Sequence, residues 1–84
     1  MPKAIVFTQH ALNAMRERQL DEQWVTETVQ TPQWHEADPH DVTISRRFRA
    51  IPERGGRYLR VACVETATEI RILTAFLDRR ARPK

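Results

Sequence analysis

The chain has 84 residues, of which 14 are Lys or Arg and 11 are Asp or Glu, giving a formal net charge of +3. A chain of this length forms one small domain without room for a deep enclosed pocket, so we expect a shallow site and no cofactor. The single cysteine excludes an internal disulfide. No apolar run is long enough for a signal peptide or a membrane span, which predicts a cytoplasmic protein.

Positive and negative charges are divided unevenly along the chain. Residues 1–45 contain three basic and seven acidic residues, whereas residues 46–84 contain eleven basic and four acidic ones. The first part therefore carries −4 and the second +7, and twelve of the 14 basic residues are arginine. Because the arginine fork binds phosphate or carboxylate through two parallel hydrogen bonds, this favours a surface for nucleic acid or an acidic protein. A basic surface that is merely solvated is the alternative.

The first half of the sequence predicts two short helices joined almost without a loop. Residues 4–7 are apolar and fit either a short strand or an extended arm. Thr8 is suited to cap a first helix that ends near residues 19–20. Asp21 caps a second helix, and residues 31–32 (Thr-Pro) end it.

The second half predicts an antiparallel sheet. Residues 33–41 are polar and aperiodic, which indicates a loop. Residues 42–50 alternate with period two, residues 52–56 fit a hairpin loop, and residues 58–64 and 70–77 resemble inner strands. The sequence therefore predicts an α+β domain over residues 1–84, with two helices on one face of an antiparallel sheet of three or four strands. The basic tail at residues 79–84 is expected to be flexible.

A cluster of arginines is the main candidate for phosphate binding. In the strand around Phe48 the alternation predicts an apolar buried face and a partly basic solvent face. Arginines on adjacent strands and on the first helix would then join them to hold a phosphodiester. The candidate binding residues are Arg18, Arg47, Arg49, Arg57, Arg60 and Arg71. The alternative is that the strand arginines form ion pairs with Glu65 and Glu69.

Three residues are candidates for catalysis. His10 falls in the first turn of the first helix, where the positive helix end favours a neutral imidazole near a bound anion. Such a group could act as a general base in RNA cleavage, although an ordinary exposed histidine is the alternative. Tyr58 could bring its hydroxyl to the same phosphate, and Arg16 could stabilise the transition state.

Residues 35–41 (HEADPHD) place five potential metal ligands within seven positions. Metal sites need ligands at a fixed geometry, and no established ligand spacing occurs here. We therefore predict a solvated acidic loop and no metal site.

Four segments resemble a small bacterial family, the domain of unknown function 4258, over roughly residues 6–80. They are residues 8–12 (TQHAL), 15–20 (MRERQL), 55–61 (GGRYLRV) and 72–76 (ILTAF). The opening pattern of that family, T-x-H-A-x-x-R-M-x-x-R, matches His10, Ala11, Met15 and Arg18. The arginine that precedes the methionine in the family pattern is Ala14 in this chain.

That family is distantly similar to RelE-like ribonuclease toxins, which combine two helices with an antiparallel sheet and cut RNA without a metal. The resemblance implies metal-independent attack by the ribose 2′-hydroxyl, with His10 or Tyr58 handling the proton. It also implies an acidic protein partner such as an antitoxin. Phosphate would be bound by Arg16, Arg18, Arg49 and Arg60. The alternative, favoured by Ala14, is a non-catalytic module that binds nucleic acid or an acidic protein; the oligomeric state stays open.

Overall fold

The fold is that of a computed structural model, in which residues 3–83 are described. Within these residues a short strand precedes two helices, and four further strands follow. In chain order the elements are β1 (Ala4–Phe7), α1 (Gln9–Glu17), α2 (Glu22–Gln30), β2 (Trp34–Ala37), β3 (Ser45–Ile51), a 3-10 turn (Pro52–Arg54), β4 (Arg57–Glu65) and β5 (Glu69–Asp78). The predicted α+β class with N-terminal helices is confirmed.

The predicted sheet of three or four antiparallel strands is wrong in two respects. The described sheet has five strands in the order β1-β5-β4-β3-β2, and β1 pairs with β5 in a parallel direction, so the sheet is mixed. Both additional strands lie at the edges and contain only four residues each. Four residues are too few for a period of two to be recognised, which is why residues 34–37 were predicted to be a loop.

Both helices begin at the predicted caps. The Thr8 hydroxyl accepts a hydrogen bond from the Ala11 amide, and it also donates to the Ile72 carbonyl at 2.9 Å, which connects the start of α1 to β5. The Asp21 carboxylate accepts from the Gln23 amide at 2.7 Å. Each cap satisfies a backbone donor that a helix start leaves unpaired, so local chemistry determines both helix starts.

The helices cover one face of the sheet and enclose the core. Helix α1 packs against β5, and α2 packs across β3 and β4. The innermost side chains, all fully buried or nearly so, are Ala11, Val25, Val29, Leu59, Val61, Cys63, Ile72 and Ala75. Burial raises the pKa of the Cys63 thiol, which keeps it protonated and inert. No helix among residues 3–83 is long and apolar enough to cross a membrane.

The two faces of β3 are exchanged relative to the sequence prediction. Phe48 is 3% exposed but lies on the face without helices, which we call the open face. Arg47 and Arg49 point to the helix side. Val42 is 84% exposed and precedes the strand, so it does not indicate whether the odd-numbered or the even-numbered residues of β3 face the helices.

The arginines of β3 occupy the helix side because α2 ends there. Arg47 donates from Nη1 to the Val29 carbonyl at 2.8 Å, and Arg49 donates to the Thr31 carbonyl at 2.7 Å. Carbonyls at a helix end have no partner within the helix and carry partial negative charge, which a guanidinium can neutralise. The aliphatic stems of the arginines meanwhile extend beneath the helix. Apolar residues and arginines therefore do alternate along β3, but polarity alone wrongly assigns the apolar residues to the helix side and the arginines to the open face.

Glu65 connects three strands through two cations. It accepts hydrogen bonds from Lys3, just before β1, at 2.6 Å and from Arg47 on β3 at 2.5 Å. These bonds, first the one from Lys3 and then the one from Arg47, hold the pKa of Glu65 at about 2 instead of its usual 4.5. The folded chain therefore releases this proton more readily than the unfolded chain.

We expect Arg47→Met to destabilise the fold by about 1.5–3 kcal/mol, because a hydrogen bond to a charged group is lost while the aliphatic stem is kept. The Arg47 side chain is only 14% exposed, so water cannot fully replace its bonds. The matched control is Arg71→Met, which removes a 55% exposed partner of Glu69 and should cost less than about 1 kcal/mol. Urea unfolding measures both. Equal losses would contradict the role assigned to Arg47.

We expect the stabilising effect of Glu65 to depend on pH. Because its folded pKa lies below the unfolded value, the effect is complete above about pH 4.5 and disappears as pH falls towards 2. The difference in unfolding free energy between the wild type and Glu65→Gln should therefore be largest near neutral pH and shrink through that acidic window. Urea unfolding across this range tests it. A difference that is independent of pH would contradict the account.

Candidate functional site

A basic cleft lies where the end of α1, the 3-10 turn and the paired ends of β4 and β5 meet. Its volume is about 370 Å³. Four arginines and two apolar residues line it, and none of the lining residues is acidic. We call it the arginine cleft, and its residues are Arg18, Arg54, Arg57, Phe76, Leu77 and Arg79.

Local chain geometry positions the first two arginines. Arg18 is the C-cap of α1, and its own amide donates to the Ala14 carbonyl, so the residue is attached to the last turn of the helix. Gly55 and Gly56 have φ angles of 70° and 77°, in the left-handed region that glycine adopts without a steric penalty. They return the chain from the 3-10 turn to Arg57, the first residue of β4.

Arg54 is anchored on the rim of the cleft. Its Nη1 donates to the Gln19 carbonyl at 3.0 Å, and its guanidinium carbon lies 6.0 Å from the centroid of the Trp24 ring. Gln19 itself has a φ of 55° and forms the abrupt connection between the helices. Arg54 therefore attaches the hairpin loop to the helix junction and gives the cleft a fixed wall.

The remaining three arginines of the cleft carry uncompensated charge. Within residues 3–83 the side chains of Arg18, Arg57 and Arg79 make no hydrogen bond or ion pair. Four other arginines are neutralised, in the pairs Arg46–Asp38, Arg47–Glu65, Arg60–Asp78 and Arg71–Glu69. Like charges that converge without counter-ions raise the local positive potential. Among the described residues, the cleft is thus a place where several arginines can receive an anion without breaking an existing pair.

The structure divides the predicted binding arginines among several places. Arg18 and Arg57 lie in the arginine cleft, but Arg47 and Arg49 bind the end of α2. The expected alternative, ion pairs across strands to Glu65 and Glu69, is confirmed for Arg47 with Glu65, whereas Arg71 pairs with Glu69 within the same strand. The predicted basic sheet face therefore does not form as one surface.

Arg60 and Arg71 do not lie alongside each other. Arg60 is opposite Phe76 on the open face, five positions along β5 from Arg71. Arg60 pairs with Asp78 at 3.3 Å, so its charge is already neutralised.

Sequence reasoning missed Arg54 and Arg79. Arg54 lies in the predicted hairpin loop and Arg79 in the predicted tail, so neither belonged to a periodic segment. The register of the β4–β5 pair was the signal that could have placed Arg79 beside Arg57. Tyr58 is opposite Asp78, which places Arg57 and Arg79 side by side just beyond that pair.

The three predicted catalytic residues do not line the arginine cleft. His10 is exposed in the first turn of α1, about 12 Å along the helix axis from Arg18 at its other end. Tyr58 lies on the open face with its ring edge-on to Trp34 at 5.1 Å. Arg16 is exposed. Catalysis by His10 or Tyr58 stays a prediction.

The segment rich in potential metal ligands does not gather them. Strand β2 directs His35 and Glu36 to opposite faces of the sheet. Asp38 accepts from the His40 amide and from Arg46, and these bonds, the one from His40 foremost, lower the pKa of Asp38. In the part of the chain that the structure describes, no three His, Cys, Asp or Glu side chains are placed to hold a metal ion.

Fold and cleft together define a small α+β domain with a solvent-open basic site. The family model described as Domain of unknown function (DUF4258) matches residues 7–77, and the chain belongs to this family. The match extends from the start of α1 almost to the end of β5, whereas Arg79 lies just beyond it. No curated protein and no solved structure matches the chain. The similarity to RelE-like toxins therefore stays a prediction.

We expect tripolyphosphate to stabilise the protein more than sodium chloride does at equal ionic strength, because a polyanion can contact several unpaired arginines. A ligand at about 100 times its Kd adds about 2.7 kcal/mol. In a domain of this size each kcal/mol raises Tm by about 4–8 °C. Arg57→Ala should remove most of the shift, and Arg71→Ala, outside the cleft, should keep it. Thermal unfolding measures both; equal shifts in the two variants would contradict an anion site in the cleft.

Proposed function

We propose that this domain binds single-stranded RNA and that the arginine cleft holds its phosphate backbone. One observation carries the proposal, namely the convergence of the unpaired Arg18, Arg57 and Arg79 in a cleft without acidic side chains. Each guanidinium can donate two parallel hydrogen bonds to one phosphate. No ion pair within the described residues must break for these three contacts to form.

The apolar part of the cleft favours a nucleic acid over a simple anion. Leu77 lies among the arginines on the helix side of the sheet, so a base or a sugar can contact carbon while phosphates contact the guanidinium groups. The Phe76 ring lies on the open face, where Arg60 packs against it. Proteins that bind single strands combine a basic groove with nearby aromatic side chains on which bases stack. The predicted distant similarity of the family to RNA-cutting toxins favours RNA over DNA.

Binding without cleavage is the function that the cleft supports best. Metal-independent RNA cleavage needs a group that takes the proton of the 2′-hydroxyl. The lining residues are arginine, phenylalanine and leucine, and a guanidinium stays protonated in proteins. An acidic protein partner offers carboxylates to the same arginines but has no base or sugar to place on Leu77.

We expect the affinity for an RNA of about 10 nucleotides to fall with salt, with a log–log slope of about −2 to −3. Three or four arginine contacts on a single strand, each contributing about −0.7, give this value. Arg18→Ala, Arg57→Ala and Arg79→Ala should each weaken binding and reduce the slope by roughly 0.7. Fluorescence anisotropy of labelled RNA and of DNA with the same sequence measures these quantities.

Arg71→Ala is the matched control, because it removes the same charge outside the cleft and should keep the wild-type slope. A salt-independent affinity, or equal losses in Arg71→Ala and Arg57→Ala, would refute the proposal. Displacement of the RNA by polyglutamate at a similar charge concentration would favour an acidic protein partner. Intact RNA is expected after incubation; cleavage that His10→Ala abolishes would establish the ribonuclease instead.

A further inference from the structure

A second groove crosses the open face of the sheet beside the arginine cleft. One wall is formed by strand side chains that include Trp34, Phe48 and Arg60, and the other by residues 80–83 of the C-terminal segment. Its volume of about 370 Å³ is at the lower end of the range for small-molecule sites. We call it the aromatic groove.

Ring packing gives the aromatic groove a defined shape. Trp34 on β2 and Phe48 on β3 are directly opposite each other, and their rings stack with centroids 4.7 Å apart and planes within 7°. Tyr58 packs edge-on against Trp34 at 5.1 Å. Phe48 is buried, whereas Trp34 stays partly exposed on an edge strand of the sheet. Trp34 is therefore the ring that a bound molecule can reach.

The aromatic groove and the arginine cleft are adjacent. Phe76 lines the cleft, and the guanidinium carbon of Arg60, which lines the groove, lies 5.0 Å from the centroid of the Phe76 ring. The consecutive residues Arg79 and Arg80 line the cleft and the groove, respectively. The cleft opens on the helix side of the sheet and the groove on the open face, so a ligand that contacts both passes around the end of β5 at these two residues.

The linings of the two sites differ in a way that distinguishes their ligands. The cleft is lined by arginine without any carboxylate, whereas the groove contains Arg80 and Arg82 beside Glu36 and the Asp78–Arg60 pair. The groove also contains the partly exposed ring of Trp34. The cleft is thus suited to a phosphate, and the groove is suited to an aromatic group.

We propose that the aromatic groove is a base-binding subsite for the single-stranded RNA whose phosphates occupy the arginine cleft. A base stacks on Trp34, Arg80 at the rim contacts the neighbouring phosphate, and the RNA chain continues around the end of β5 into the cleft. The C-terminal segment forms the outer wall, where Ala81 is buried and its amide donates to the Asp78 carbonyl at 3.3 Å. This inference rests on the proposed function.

The first test compares an RNA of about 10 nucleotides with an abasic oligomer of the same length. Stacking on one aromatic side chain contributes enough for the RNA to bind about tenfold more tightly than the abasic oligomer. In Trp34→Leu the two affinities should become equal, while the affinity for the abasic oligomer stays at the wild-type level because the arginine cleft is intact. Anisotropy at constant salt measures all four affinities.

A second readout does not depend on the folding of Trp34→Leu. The chain has two tryptophans, so Trp24→Phe leaves Trp34 as the only one. We expect RNA to quench its fluorescence and the abasic oligomer to leave it unchanged. Equal binding of both oligomers by the wild type, without quenching, would overturn the subsite and leave the proposed function standing. If neither oligomer binds, both the base-binding subsite and the proposed function are wrong.

Discussion

The antiparallel pairing of β4 with β5 is the constraint on which the described structure depends. It supplies the centre of the sheet, and its helix side provides the surface on which α1 and α2 pack. The same register brings Arg57 and Arg79 together at one end, where the last turn of α1 adds Arg18. A bulge between Ala62 and Cys63 is accommodated within this pair without interrupting it. The basic cleft is therefore largely a consequence of how the core pairs, and the hairpin loop adds Arg54 as one wall.

Sequence reasoning succeeded where the determining chemistry is local. Thr8 and Asp21 each satisfy a backbone amide two or three positions away, and such contacts can be recognised from neighbouring residues. The glycines of the hairpin loop and the apolar runs of the inner strands are local signals as well. The fold class and the order of the main elements follow from these features. Edge strand β2 could not be found in this way, and β1 was expected only as one of two alternatives, because each depends on a partner strand for its identity.

Only Arg18 and Arg57 of the four cleft arginines were predicted, because the acidic partner that neutralises an arginine can lie far away in the sequence. Asp38 of the acidic first half pairs with Arg46 of the basic second half, and Glu65 pairs with Arg47 from 18 positions away. An arginine that is neutralised and an arginine that is available look identical in a sequence. Only the folded chain shows that Arg57 belongs to the second kind. Arg47 and Arg49 illustrate the same limit, since the carbonyls that they bind lie at the end of α2 and not on their own strand.

The parallel pairing of β1 with β5 has a consequence for how the chain is made. Ala4 lies opposite Glu69, so the first strand must wait for a partner 65 positions later in synthesis. Until that partner emerges from the ribosome, the apolar residues of β1 have no sheet edge to join. Contacts between such distant positions also carry a large loop-closure entropy and slow the folding of small domains. The nascent chain therefore completes its sheet only once β5 has been made and is free to pair, and it acquires its basic cleft in the same late step.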